Sequence, residues 1–178
     1  MNMSFTWRTQ KFSLFFCLIV SLGNYLFQIP INEYLTWGAF AFPINLFLAD
    51  YITRRFGAKQ STIAINWGFI YAFIVVFRFV SWEIAISSCV AFLISELIDV
   101  YIFRTYIKTK SLMVTTIFSG VFAGAIDVIL FTLMAVKIFE VIPLKWYDVF
   151  LGDFCVRVLT FLFWIPFYRQ IMKSKKML

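Results

Sequence analysis

Long apolar runs separated by short polar breaks dominate the chain. Six runs stand out: Phe12–Ile29, Trp37–Ile52, Thr62–Val80, Glu83–Phe103, Leu112–Val136 and Val149–Phe167. Each approaches the roughly 20 residues that an α-helix needs to cross the hydrocarbon core of a bilayer. The breaks carry turn and charged residues: Pro30-Ile31-Asn32-Glu33, Arg54-Arg55-Phe56-Gly57, Lys108-Thr109-Lys110-Ser111 and the stretch from Pro143 to Asp148. The break around Ser81-Trp82 is so short that helices three and four are expected to form a tight antiparallel hairpin. The pattern predicts an all-α integral membrane protein, one compact bundle of six transmembrane helices over residues 1–178, with no separate extramembrane domain.

Composition narrows the function classes. The 178 residues are 62% hydrophobic, 21% aromatic and only 14% charged, where a soluble domain carries about 25% charged residues. That excess of apolar side chain argues against a water-soluble enzyme. No Walker or Rossmann glycine pattern occurs, so no nucleotide-hydrolysing module is built in. Histidine is absent, which removes the commonest general base and metal ligand. Cys17, Cys89 and Cys155 all lie inside apolar runs without metal-site spacing and read as small buried hydrophobes. Neither a metal nor a cofactor is expected.

The net charge of +7 would suit nucleic acid or a cytoplasmic membrane face, and its placement decides. On a six-span reading, Arg8, Lys11, Arg54, Arg55, Lys59, Arg104, Lys108, Lys110, Arg169, Lys173, Lys175 and Lys176 fall on one side. Only Arg78, Lys137 and Lys145 fall on the other. By the positive-inside rule both termini are cytoplasmic. The cations are dispersed over loops, not gathered on one surface, which argues against nucleic acid as partner. The basic tail is suited to anionic lipid headgroups. Arg8 and Lys11 before an apolar run resemble the start of a signal peptide, but the run is long and lacks a small-x-small cleavage site before Pro30. It is read as the first span.

Charged groups at mid-bilayer cost at least about 2.5–3.5 kcal/mol each, so those present call for a role. Helix four carries Glu96 and Asp99 on one face, and helix five carries Asp127. Helix six has Asp153 and Arg157 at ion-pair spacing; helix two ends with Asp50 and Arg54 at the same spacing, suiting an interface pair. Helix one places Asn24 and Gln28 on one face. Glu96, Asp99 and Asp127 have no cation spaced to neutralise them within their own helices, which points to a polar cavity. Gly120, Ala123, Gly124 and Asp127 form one stripe, and small residues admit a neighbouring helix, turning Asp127 toward protein. Trp37 and Trp82 fit an interfacial aromatic belt.

Several of these stretches resemble the queuosine precursor transporter (VUT) family of bacterial inner-membrane proteins. They are Gly23-Asn24-Tyr25-Leu26-Phe27-Gln28, Thr36-Trp37-Gly38-Ala39-Phe40-Ala41-Phe42-Pro43, Leu48-Ala49-Asp50 with Arg55-Phe56-Gly57-Ala58, Ser95-Glu96-Leu97-Ile98-Asp99, Asp127, and Asp153-Phe154-Cys155-Val156-Arg157. The resemblance spans all six predicted helices and implies import of 7-cyano-7-deazaguanine, its 7-aminomethyl relative, or both. A carboxylate can accept the paired N–H groups of a guanine-like edge, an amide can donate to its carbonyl, and aromatic rings can stack on its face. The substrate-binding set expected on that basis is Asn24, Gln28, Trp37, Phe42, Asp50, Glu96, Asp99, Asp127, Asp153 and Arg157.

The family typically has Gln where Glu96 stands, and Asn-x-Ser-Asp-Thr where this chain has Gly124-Ala125-Ile126-Asp127-Val128. The loop between helices three and four is also shorter than in longer members. A divergent member with altered ligand preference or protonation chemistry is therefore expected. The expected mechanism is carriage through a site between helices one, two, four, five and six. Asp127 and Asp153 bind the ligand, Arg157 orients Asp153, and Glu96 exchanges a proton. The alternative is a membrane component that binds another heterocycle or vitamin and borrows an external ATPase. A homodimer is a further open partnership, and an intramembrane enzyme lacks its motifs.

Overall fold

The computed structural model describes residues 7–32, 35–142 and 146–173. Glu33, the break at 143–145 and the tail cations Lys175 and Lys176 lie outside the described residues. Six α-helices make up the described chain: α1 (Trp7–Phe27), α2 (Phe42–Phe56), α3 (Ala58–Val76), α4 (Trp82–Tyr106), α5 (Leu112–Thr132) and α6 (Trp146–Lys173). A 3-10 turn, Trp37–Phe40, leads into α2, and a π-helical segment, Leu133–Ile138, extends α5. Each predicted run overlaps one helix.

The boundaries differ for local reasons. Pro30 cannot donate a backbone hydrogen bond, and α1 ends at Phe27, ahead of the predicted Ile29. The chain then forms an antiparallel strand pair that the hydropathy pattern does not predict, β1 (Pro30–Asn32) with β2 (Leu35–Thr36). Pro43 occupies the first turn of α2, where its missing N–H costs nothing. Only Gly57 separates α2 from α3, so α3 starts at Ala58, ahead of the predicted Thr62. Ser111 caps α5, accepting a hydrogen bond from the Val114 N–H at 3.4 Å.

Trp7–Phe27, Trp82–Tyr106, Leu112–Ile138 and Phe150–Ile171 are long and apolar enough to cross a membrane. With 15 residues, α2 is about 22 Å long; α3 carries Lys59, Gln60 and Ser61 in its first turn. The outer surface of the bundle is strongly apolar, and many polar side chains lie inside it alongside the apolar core. Leu14, Phe15, Leu18 and Leu22 of α1, Ile129 of α5, and Leu159 and Phe163 of α6 are exposed, whereas Ser13, Asn24, Ser61, Ser87, Ser95, Thr115 and Ser119 are buried. An apolar exterior around a polar, small-residue interior is what lipid as solvent selects. The three cysteines are free; Cys89 is buried, but Cys155 is exposed. An apolar run does not require burial within the bundle, and Cys155 stands on its surface.

The largest apolar core joins Phe16 and Val20 of α1, Ala49 and Ile52 of α2, Ala64 and Ala72 of α3, and Cys89 and Phe92 of α4. A second joins Phe42 and Leu46 of α2, Ala123 of α5, and Phe161 and Ile165 of α6. The predicted close pairing of helices three and four is present: α3 and α4 pack together across the short link 77–81. At one end of the bundle the Arg8 guanidinium of α1 lies 5.0 Å over the Phe56 ring of α2. Tyr168, near the end of α6, stands in the neighbourhood of Asp50 and Arg54 on the last turns of α2. The strand pair and the 3-10 turn close the opposite end.

One close approach sets the position of the 3-10 turn. A Cβ on Gly38 would lie 2.6 Å from the Gly23 carbonyl oxygen and 3.0 Å from the Phe27 nitrogen. Both are backbone atoms of α1 and cannot rotate away. Gly38→Ala is therefore expected to destabilise the fold by about 1–3 kcal/mol, seen as a lower thermal-unfolding midpoint of the detergent-solubilised protein. Gly124→Ala, whose Cβ would meet Phe42 at an ordinary 3.6 Å, is expected to leave the midpoint undiminished.

Candidate functional site

A cavity of about 80 Å³ lies between α1, α2, α4, α5 and α6, beneath the 3-10 turn. Asn24 and Phe27 come from α1, Phe42 and Asn45 from α2, and Ser88 and Phe92 from α4. Asp127 and Phe131 come from α5, Asp153 and Arg157 from α6, and Gly38 and Ala39 from the 3-10 turn. Helical periodicity places these groups together: 42 and 45, 88 and 92, 127 and 131, and 153 and 157 are each three or four residues apart.

Arg157 is the centre of the wall. Its Nη1 donates to Asp127 Oδ2 at 2.5 Å, and its Nη2 and Nε donate to Asp153 Oδ2 at 2.8 and 2.9 Å. Its guanidinium also lies 4.5 Å over the Phe42 ring, a cation–π contact. Asp127 uses its second oxygen to accept from Ser95 Oγ at 3.1 Å. Asp153 takes both of its Arg157 contacts on Oδ2, so Oδ1 lies outside the pair. Asn24 donates to the Val20 carbonyl at 3.0 Å and accepts from Ser88 Oγ at 2.7 Å, which fixes its amide. The Asn45 Oδ1 atom, in the same wall, is buried with no hydrogen-bond partner. Phe27 and Phe131 meet edge to face at 5.2 Å. The wall therefore combines charge of both signs, an unmatched acceptor and aromatic surface, the equipment for holding a flat polar molecule.

Of the expected binding residues, Asn24, Phe42, Asp127, Asp153 and Arg157 line this cavity. Gln28 and Trp37 do not; both are exposed. The shared face of Asn24 and Gln28 presumes a helix continuing past Gln28, and α1 ends one residue before it. Asp50, Glu96 and Asp99 are buried but lie outside the cavity wall. The expected Asp50–Arg54 pair does not form: among the described residues the ion pairs run from Arg157 to Asp127 and to Asp153. Asp50 instead adjoins Asp99 and Thr116. Asn45 and Ser88, which line the wall, and Ser95, which braces Asp127, are absent from the expected set. Their signal was present: Asn45 shares a stripe with Phe42, Ala49 and Asp50, and Ser88 and Ser95 share one with Phe92 and Asp99.

The GxxxG stripe on α5 brings the acid to the arginine. The Phe161 ring of α6 fills the space a Cβ on Gly120 would occupy. That close approach holds α6 against α5, and Asp127 meets Arg157 two turns further along.

An apolar exterior, buried polar groups and a small cavity ringed by opposing charges are features that suit a membrane transport protein. The family model Vut_1, described as "Putative vitamin uptake transporter", matches residues 76–171, and the chain belongs to that family. The family is one of transporters, not enzymes. The chain is also 26% identical over 186 residues to a queuosine precursor transporter of Escherichia coli (strain K12), covering 90% of this chain and 84% of that protein. No solved structure matches.

The charge arrangement gives a stability test. Arg157→Met removes the cation shared by two mostly buried carboxylates, and breaking such a pair costs about 3–5 kcal/mol. Adding Asp127→Asn and Asp153→Asn to that variant is expected to recover most of the loss in thermal-unfolding midpoint. Equal midpoints for the single and triple variants would mean that Arg157 stabilises through packing on Phe42 alone.

Proposed function

We propose that this chain imports 7-deazaguanine precursors of queuosine through the bacterial inner membrane, using six membrane-crossing helices with both termini in the cytoplasm. The observation that carries this reading is the meeting of Asp127, Asp153 and Arg157 in an aromatic-walled cavity, in a chain aligned over most of its length with a queuosine precursor transporter. The end bearing Arg54, Arg55 and Lys59 faces the cytoplasm on the positive-inside rule, and the strand pair faces the periplasm.

The cavity is contracted. Ligand pockets commonly measure about 300–1,000 Å³, against about 80 Å³ here, so helices must part to admit a bicyclic heterocycle. The N1–H and exocyclic amine of the deazaguanine pair with one carboxylate while Arg157 keeps the other. Asn24 and Asn45 serve its remaining polar edge, and Phe27, Phe42 or Phe131 covers its face. The family's description as vitamin transporters favours a second reading, in which the same wall takes another flat heterocycle and an external ATPase supplies the energy. ATP-dependent rather than ATP-independent uptake would select it.

The test uses bacterial cells lacking their own importer and their own precursor synthesis, with queuosine in tRNA as readout. The wild-type chain is expected to restore queuosine at limiting external precursor. Asp127→Asn and Asp153→Asn, confirmed present in the membrane, are expected to slow initial uptake about tenfold or more, the worth of one hydrogen bond to a charged group. Wild-type rates in both variants would overturn the site, and no restoration by the wild-type chain would overturn the cargo.

A further inference from the structure

Beneath the cavity four of its five helices, α2, α4, α5 and α6, build a second polar layer. Going along each helix away from the strand pair, α2 leads from Asn45 to Asp50 and α4 from Ser88 to Asp99. In the same direction α5 leads from Asp127 to Thr116, and α6 from Arg157 to Tyr168. Asp50 adjoins Asp99 and Thr116, Asp99 adjoins Ser119, and Tyr168 adjoins Thr116. Between the layers sit Leu46, Ala123, Phe161 and Ile165, part of one apolar cluster. Glu96 lies on α4 between Ser95, which donates to Asp127, and Asp99 of the lower layer, within electrostatic reach of both acids.

Asp127 is paired with Arg157, but among the described residues Glu96, Asp99 and Asp50 form no ion pair. Glu96 and Asp99 are 0% exposed and Asp50 is 1% exposed. Both oxygens of Glu96, both of Asp99 and Oδ1 of Asp50 lack hydrogen-bond partners. Tyr168, 6% exposed, brings an equally unpartnered hydroxyl to the same place from α6. Arg54, one turn beyond Asp50 and near Tyr168, forms no ion pair with it. A metal ion does not suit the cluster, since no three acidic or sulfur ligands among the described residues converge on one point. A carboxylate only accepts hydrogen bonds, so what can join neighbouring carboxyls is a proton held between them.

We infer that Asp127, Glu96, Asp99 and Asp50 form a proton relay across the apolar layer, which couples cargo import to proton entry. The inference rests on the carrier reading above. Each step moves one proton from a carboxyl O–H to the next carboxylate, leaving the donor a carboxylate and making the acceptor an acid. Protons arrive from the cavity at Asp127 and leave from Asp50, beside Tyr168 and Arg54.

The test uses the full-length protein in lipid vesicles, with radiolabelled 7-cyano-7-deazaguanine. Counterflow, which needs no gradient, reports carriage; accumulation under an acid-outside pH step reports coupling. One proton per cargo is expected to raise accumulation about tenfold for a step of about one pH unit, and a protonophore is expected to abolish the rise. Glu96→Gln and Asp99→Asn are expected to keep counterflow and lose the response to the step. Counterflow by the wild-type protein with accumulation indifferent to pH would overturn the relay and leave the carrier reading standing. Absence of wild-type counterflow would overturn the cargo instead. In that case the infrared band of protonated carboxyls decides: a band lost in Glu96→Gln or Asp99→Asn supports the relay, and no such band overturns it.

Discussion

A guanidinium taken out of water must meet negative charge, because an unpaired ion in a low-dielectric interior costs several kcal/mol. Arg157 meets it on two helices at once, through Asp153 one turn back on α6 and Asp127 across on α5. Much of the surrounding architecture serves that meeting. The small residues of α5 let α6 approach, with Phe161 packed over Gly120. Ser95 holds the far oxygen of Asp127, and Phe42 covers the guanidinium face. One cation between two acids leaves acceptor capacity in the cavity wall, and on the proposed reading that surplus recognises a ligand rich in N–H donors.

Lipid as solvent explains why such polarity is inside. The apolar side chains that would fill a soluble core cover the outer surface here, and lipid already satisfies them. The interior combines apolar clusters with small and polar residues, and their close approach and hydrogen bonds help hold the bundle. That arrangement yields polar layers stacked along the bundle, Asn45 and Asp127 in one and Asp50 and Asp99 in the next, separated by apolar side chains. An apolar cluster, Leu46, Ala123, Phe161 and Ile165, separates the two polar layers.

Hydropathy made the helices legible because each long apolar run must satisfy its own backbone hydrogen bonds in lipid. It misplaced the ends, since Trp7 to Lys11 and Arg169 to Lys173 are too polar to register yet continue the helices beyond the apolar runs. Spacing along one helix revealed the Asp153–Arg157 pair. The identical spacing of Asp50 and Arg54 misled, because i,i+4 fixes proximity and not direction: Asp50 turns inward to Asp99. The Asp127–Arg157 contact was beyond any spacing rule, being set by how α5 packs on α6. Gln28 and Trp37 fell out of the site for the same local reason: the chain leaves the helix at Phe27 and turns through the strand pair before α2 begins.

If the cargo is held at Asp127 as proposed, binding and opening are linked through the same contact. The contracted cavity can widen only if helices separate, and parting α6 from α5 pulls Arg157 away from Asp127. Without a replacement, that motion strands a carboxylate in the interior, so the empty protein resists it. A ligand that presents paired N–H donors to Asp127 supplies the replacement, while Arg157 stays with Asp153. Its affinity for the open form then exceeds that for the closed form, which is the condition for a ligand to shift a conformational equilibrium. A heterocycle of equal size without those donors fills the space but does not compensate the charge. Selectivity on this view does not require a tight mould around the cargo; it follows from the free energy of exposing Asp127, which only a suitable hydrogen-bonding edge offsets.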